Sequence, residues 1–275
     1  MRCVMAVVLV SRGSMSGGQK VAACLAQHGG FTCITREDLV AAVNQYGDIA
    51  ARLTKEIGKA SRGYDRFTTL RRPYRILMKK ALLEYALKGH LAYFGYSGHL
   101  LLDKTDHLVR VRLTAPLSVR IRVTMQRLGC SEEEAHEYVR DADEERARWA
   151  RFMYGADIRD PTQYDVCLNM ERFTTEGVCR LLRDLVRHPD LQPTPESVRK
   201  LENSRVATAV LAALVSRDDT LPLEIGVTFE DGTARLEGPY LDPAALDLVM
   251  EVSRSIPEVK DVFYEPGYAP SFVTA

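Results

Sequence analysis

Apolar positions along this chain change period several times, and each change marks an element. Val4 to Val10 is a continuous run rich in β-branched residues, which suits a strand buried on both faces of a parallel sheet. A turn, Gly13-Ser-Met-Ser-Gly-Gly18, follows it. From Gln19 to His28, Val21, Cys24 and Leu25 recur at helical spacing until Gly29-Gly30 stops the helix. Phe31 to Thr35 reads as a second strand, followed by polar helical stretches from Glu37 to Ala60. A basic loop (Arg62, Arg66, Arg71, Arg72) then leads to a helix from about Pro73 to Lys88, with the proline in its first turn. Leu91 to Phe94 is strand-like and ends in Gly95-Tyr-Ser-Gly98. His107 to Leu113 alternates as a fourth strand before a helix that begins near Pro116. A long charged helix from Ser131 to about Tyr154 opens on a capping box, Ser131-Glu-Glu-Glu134. Tyr164 to Asn169 is the fifth strand and Thr174 to His188 its helix. Strands that alternate with helices in this way predict an α/β fold with a five-stranded parallel sheet and helices on both faces.

The pattern changes after His188. Three prolines between His188 and Pro195 suggest a linker over 189–202, from which a short helix at Glu196 continues. Asn203 to Ser216 is an apolar helix, and Leu223 to Phe229 alternates cleanly. Asp231-Gly232 signals a hairpin into Thr233–Gly238. Asp242 caps a helix that starts at Pro243 and runs to Ser255, and Val259–Tyr264 is a last strand. The expected division is a first domain over 1–188 and a small αββαβ (α+β) domain over 203–267.

Composition supports a folded chain: 46% of its 275 residues are hydrophobic, and 37 Lys+Arg balance 37 Asp+Glu. The balance is uneven along the sequence. Residues 1–200 carry 32 basic against 24 acidic residues, whereas residues 201–275 carry 5 against 13. Such a split fits an anion-binding first part, two parts that attract each other, or ordinary solvated surface. The six cysteines show neither C-x-x-C spacing nor a Cys/His set suited to zinc, and read as small core residues of a reducing compartment. The N-terminal apolar run is too short for a signal peptide, and no other stretch is long enough to span a membrane. The expected location is cytoplasmic.

A buried strand, a Gly/Ser turn and a helix can cradle phosphate oxygens with backbone N–H groups, although a plain βα turn has the same outline. Gly13 and Gly18 have the spacing of a Walker loop, but Gln19 occupies the lysine position and Lys20 comes one residue late. The segment Ser11-Arg-Gly-Ser-Met-Ser-Gly-Gly-Gln-Lys-Val-Ala22 resembles the S-R-x-x-G-S-G-G-x-x-I-A opening of the cytidylate-kinase-like family of P-loop nucleoside monophosphate kinases. Further segments resemble that family in order: Thr35-Arg-Glu37, Leu113 to Arg120, Cys130 to Ala135, Asp143-Glu-Glu-Arg146, Tyr154 to Asp157, Asp160-Pro161, Tyr164-Asp165 and Asn169.

The resemblance implies a P-loop kinase-like sheet, Mg-ATP as donor, and phosphoryl transfer to a nucleoside monophosphate such as CMP. It assigns Gly13, Ser14, Ser16, Gly17, Gly18, Gln19 and Lys20 to the donor phosphates. Arg120, Arg146, Asp143 and Lys20 fall to catalysis, and Arg36, Tyr96, Ser97, His99 and Arg127 to the acceptor. No residue is assigned to a metal. Met15 stands at a family glycine, Thr35 at the aspartate of D-R-E, and Gly95-Tyr-Ser-Gly98 lacks the family's strand-three arginine.

The alternative expectation is a nucleotide-binding sensor without turnover, because a missing electrostatic donor costs on the order of 10²–10³ in rate. His99 suits a ligand contact or a solvated loop position, and Trp149 a packing anchor. No Ser/His/Asp or Cys/His nucleophile can be read from the spacing, and neutrality argues against nucleic acid. Val206–Leu214, Val227–Gly238 and Ile256–Val262 resemble a BON domain. Its acidic character suits a homodimer contact or docking on the basic part better than an anionic membrane.

Overall fold

A computed structural model describes residues 6–58, 68–105 and 107–267. The described residues form two compact units that interleave in sequence: Met1–Asp38 with Lys88–Thr194, and Leu39–Leu87 with Pro195–Ala275.

The first unit is built on five parallel strands: β1 (Val7–Arg12), β2 (Thr32–Thr35), β3 (Leu91–Gly95), β4 (Leu108–Thr114) and β5 (Val166–Asn169), in the order β2-β3-β1-β4-β5. β1 is central and all but fully buried, as its unbroken apolar run demands. Val7 to Ser11 pair with Leu91 to Gly95 on one side, and Val7 to Arg12 with Leu108 to Leu113 on the other. The helices are α1 (Gly18–His28), the start of α2 (Arg36–Asn44), α5 (Leu117–Leu128), α6 (Glu132–Tyr154) and α7 (Thr175–Leu185). Val21 and Leu25 of α1 and Val178 and Leu182 of α7 share a core with Val8, Val10, Phe94 and Val111. Parallel strands place the loops after β1 to β5 along one sheet edge, where open α/β sheets bind ligands.

The second unit contains α3 (Asp48–Gly58), α4 (Thr68–Ala86), α8 (Pro195–Val215), β6 (Gly226–Glu230), β7 (Thr233–Gly238), α9 (Pro243–Arg254) and β8 (Asp261–Pro266). The three strands form a mixed sheet, β6 antiparallel and β8 parallel to β7. Val206, Val210 and Leu214 of α8 pack with Leu236, Val249 and Val262. Asp231 and Gly232 have φ of +49° and +85°, as the hairpin signal requires. Arg52 pairs with Asp218 at 3.0 Å, and Arg72 donates to the Leu223 and Ile225 carbonyls.

Several expectations need correction. Residues 195–202 belong to one continuous helix, α8, rather than to a linker, because Ser197 and Leu201 are buried like the apolar residues that follow. The stretch 39–87 packs with the C-terminal elements, so the contact boundary does not fall at 188. The charge asymmetry also dissolves: the first unit has 20 basic against 19 acidic residues and the second 17 against 18. Pro73 lies inside α4 and not in its first turn, because the helix already runs from Thr68. Cys24 and Cys179 form a disulfide between α1 and α7, Cys167 is exposed, and Cys33 and Cys130 are half-buried free thiols. Cys3, Arg62 and Arg66 lie outside the described residues. Among the described residues no helix is long and apolar enough to cross a membrane.

Candidate functional site

The turn after β1 is held by its own polar groups. The Gly13 N–H donates to the Leu113 carbonyl (3.2 Å), and the Ser16 hydroxyl donates to the Gly13 carbonyl (3.0 Å) and the Leu113 carbonyl (3.4 Å). These bonds fasten the turn to the end of β4. Gly17, the N-cap of α1, has φ +85°, a region that favours glycine, and no side chain caps the helix. Met15 has φ +56°, so the glycine that the family carries there suits the backbone itself. The first-turn N–H groups of a helix lack intrahelical partners, and the dipole makes this end weakly positive.

Charged side chains from α5 and α6 reach this turn. Arg120 donates to Asp143 Oδ2 (2.5 Å) and to the Ser14 carbonyl (3.4 Å), while the Ser14 N–H donates to Asp143 Oδ1 (3.0 Å). Asp143 therefore joins the turn to Arg120. Arg146 donates to the Arg12 carbonyl (3.4 Å), and Arg127 reaches the Met15 sulfur (3.9 Å). The Asp143–Arg146 spacing thus presents one residue to Arg120 and Ser14 and the other to the end of β1, and the two do not pair with each other.

The expected acceptor residues divide into two groups. Arg36, at the start of α2, lies 4.9 Å from the Trp149 ring and 6.0 Å from that of Tyr96, whose other close cation is Arg146 at 5.7 Å. Trp149 is thus a cation-stacking partner as well as a buried residue. Ser97 and His99 are buried. His99 is neither solvated nor open to a ligand: Nε2 meets Gln163 (3.3 Å), the ring lies 4.5 Å from Tyr164, and Nδ1 has no hydrogen-bond partner. Burial pushes its pKa down to about 4, helped by Arg110 and Arg112 and opposed by the Gln163 bond. A Cβ at Gly95 or Gly98 would run into the Tyr93 ring, so both glycines make room for Tyr93.

Beneath this loop, Tyr164 donates to the Ile158 carbonyl (2.7 Å) and lies 3.1 Å from the Ser11 hydroxyl, which also meets the Tyr96 carbonyl (3.2 Å). Arg110 grips Asp165 through its backbone N–H (2.7 Å), Nε (3.2 Å) and Nη2 (2.7 Å). Burial pushes the Asp165 carboxyl up, but these bonds outweigh it and hold the carboxyl below its usual range.

Lys20 and Gln19 are exposed. Arg12 was not singled out from sequence, although it stands in the quoted S-R pair. Its side chain lies against Gly18, and burial followed by repulsion from Arg146 lowers its pKa, with Glu37 opposing. These residues fit a phosphate chain. The Ser/Thr that follows a Walker lysine and holds Mg²⁺ is replaced by Lys20, and among the described residues no cluster of three His, Cys, Asp or Glu can hold a metal.

The family model described as "Cytidylate kinase-like family" matches residues 7–172. The cytidylate kinase of Thermococcus kodakarensis is 25% identical over 184 residues, 66% of this chain and 88% of that one. The cytidylate kinase of Pyrococcus horikoshii is 26% identical over 146 residues, 52% and 74% of the two chains. Among solved structures, an uncharacterized protein from Eubacterium ventriosum aligns with TM-score 0.53 at 15% identity, over 66% of this chain and 98% of that one, a likeness of fold alone. With more than half of its length matched by the model, this chain belongs to the cytidylate kinase-like family.

Proposed function

We propose that this protein transfers the γ-phosphoryl group of ATP to a nucleoside monophosphate, CMP or a related small phosphate-bearing acceptor. The observation that carries the reading is the convergence of Arg120, Asp143 and Arg146 on a Gly/Ser turn at the head of an uncapped helix. Phosphoryl transfer demands positioning and cations around oxygens that share a spreading negative charge. The amides from Gly13 to Lys20 would receive the donor phosphates, with Arg120 and Arg146 neutralising the group in transit. An acceptor phosphate oxygen would attack the γ-phosphorus as the β–γ bridging bond breaks, which releases ADP. Arg36, Tyr96 and Arg127 would face the acceptor. Purified protein with Mg-ATP and a panel of monophosphates should yield ADP and a diphosphate. Absence of product, together with unchanged ATP binding in Gly17→Asp, would refute the reading.

A second reading, a nucleotide sensor without turnover, is favoured by Gln19 at the lysine position and by the arginine-free Gly95–Gly98 loop. Calorimetric binding of ATP without product would select it. In either case the order α8–β6–β7–α9–β8 supports a BON-like regulatory module. The Arg52–Asp218 pair supports its docking on the helices over 39–87, and homodimer formation is the alternative contact. Arg52→Glu in the full chain should then lower the melting temperature, and an unchanged one would argue against docking.

A further inference from the structure

The turn presents a puzzle of charge. A P-loop places one lysine over the donor's β- and γ-phosphates, but here that position is Gln19, and Lys20 next to it is exposed. Arg12, the last residue of β1, points the other way along the chain and reaches the same helix end. Its aliphatic stem lies against Gly18, the first residue of α1, so closely that a Cβ on Gly18 would meet Arg12 Cδ. Gly18 has no positive φ, so the missing side chain serves the space Arg12 occupies rather than the backbone. Arg12 Nε is buried and makes no hydrogen bond. Arg146 and Arg127 both push against its charge, and Glu37 is the anion that offsets them. A guanidinium held at a helix N-terminus, with a buried donor unused and cations beside it, is arranged for an anion supplied from outside.

We propose that Arg12 is the phosphate-binding cation of this loop and does the work of the absent Walker lysine, with Gly18 kept small so that its side chain can lie across the first turn of α1. The proposal rests on the reading of the turn as an ATP-phosphate site and names the residue that makes the site sufficient. Arg12 takes this place through packing, because β1 delivers it to the turn from the strand side and Gly18 leaves the path open.

The test is titration of the full chain with a fluorescent ATP analogue carrying a methylanthraniloyl group, with melting temperature followed in parallel. A charge-assisted hydrogen bond is worth about 10–100-fold in affinity, so Arg12→Gln should weaken binding by about that factor, and Arg12→Lys by less. Gly18→Ala, which displaces Arg12 without removing its charge, should also weaken it. Gln19→Lys added to Arg12→Gln returns the lysine to its usual place and should recover most of the loss, which a folding defect would not allow. Lys20→Gln should cost at least tenfold less than Arg12→Gln. Wild-type protein that binds while Arg12→Gln binds equally well overturns the proposal alone, as does an equal or larger loss in Lys20→Gln, or no recovery with Gln19→Lys. Wild-type protein that does not bind the analogue overturns the reading of the site and this proposal with it.

Discussion

Helices α1 and α6 meet the solvent at their N-termini in opposite ways. α6 closes its own: Ser131 accepts from the Glu134 N–H (3.3 Å), and Glu134 accepts from the Ser131 N–H (2.8 Å), a complete capping box with three glutamates in the first turn. Thr174 caps α7 and Asp242 caps α9 in the same manner. α1 has glycine at its N-cap, no acidic residue in its first turn and no side-chain cap. A helix whose N-terminus meets no ligand can satisfy its orphan donors from its own sequence. A helix that must accept a ligand leaves them for the ligand, and the stability forgone there is what binding can recover.

The most severe way to break this contrast is to deny α1 its open end. Gly17→Val strains a φ of +85° by about 1–2 kcal/mol and crowds Met170. It is expected to lower kcat/KM by about 10³-fold or more in the assay with Mg-ATP and monophosphates, with a fall of about 2–8 °C in melting temperature. Arg120→Ala is next. It leaves the turn intact but removes the cation that Asp143 positions, so turnover should fall by about 10²–10³-fold while ATP binding falls less. A rise in KM alone, with kcat unchanged, would place Arg120 in ground-state binding instead.

The turn and its helix were legible because they rest on local chemistry: glycines at the bend, a buried β-branched run before it, a periodic stripe after it. The same holds for the Ser131 capping box, the Asp231-Gly232 hairpin and the Asp242-Pro243 helix start, each of which involves contacts within a few residues. What depended on distant partners was not legible. Nothing near Cys24 points to Cys179, and nothing in 39–87 announces that α4 packs on α8. The charge split between halves of the sequence reflected the position of those basic helices in the chain, not two oppositely charged bodies. Gly95 and Gly98 invited a ligand-loop reading, yet the Tyr93 ring accounts for both. Arg12 was passed over because strand ends are read for burial, and its contact with Gly18 crosses a turn.

The contrast extends to histidines of the first unit. His99 is buried and neutral, with its pKa near 4, below the ordinary value of 6.5 it regains on unfolding. Between these values the unfolded chain binds the extra proton, so the stability His99 contributes is present above about pH 6.5 and is lost as pH falls toward 4. Melting temperature followed from pH 7.5 to 4.5 should decline for the wild type and decline less steeply for His99→Gln. Equal slopes would mean that His99 is protonated in the fold, and that the Gly95–Gly98 loop is more open than its burial indicates.

The smallest effect gives the sharpest control. Ser131→Ala removes the hydroxyl that accepts from Glu134 and releases the reciprocal carboxylate, at a cost of about 1 kcal/mol. In a chain of this size that is a fall of about 2–4 °C in melting temperature. Because α6 also carries Asp143 and Arg146 toward the turn, a helix frayed only at its first turn should leave ATP affinity within about twofold. Affinity lost in proportion to stability would mean that capping and catalytic positioning are one function in this helix, and that α1 and α6 differ in degree rather than in kind.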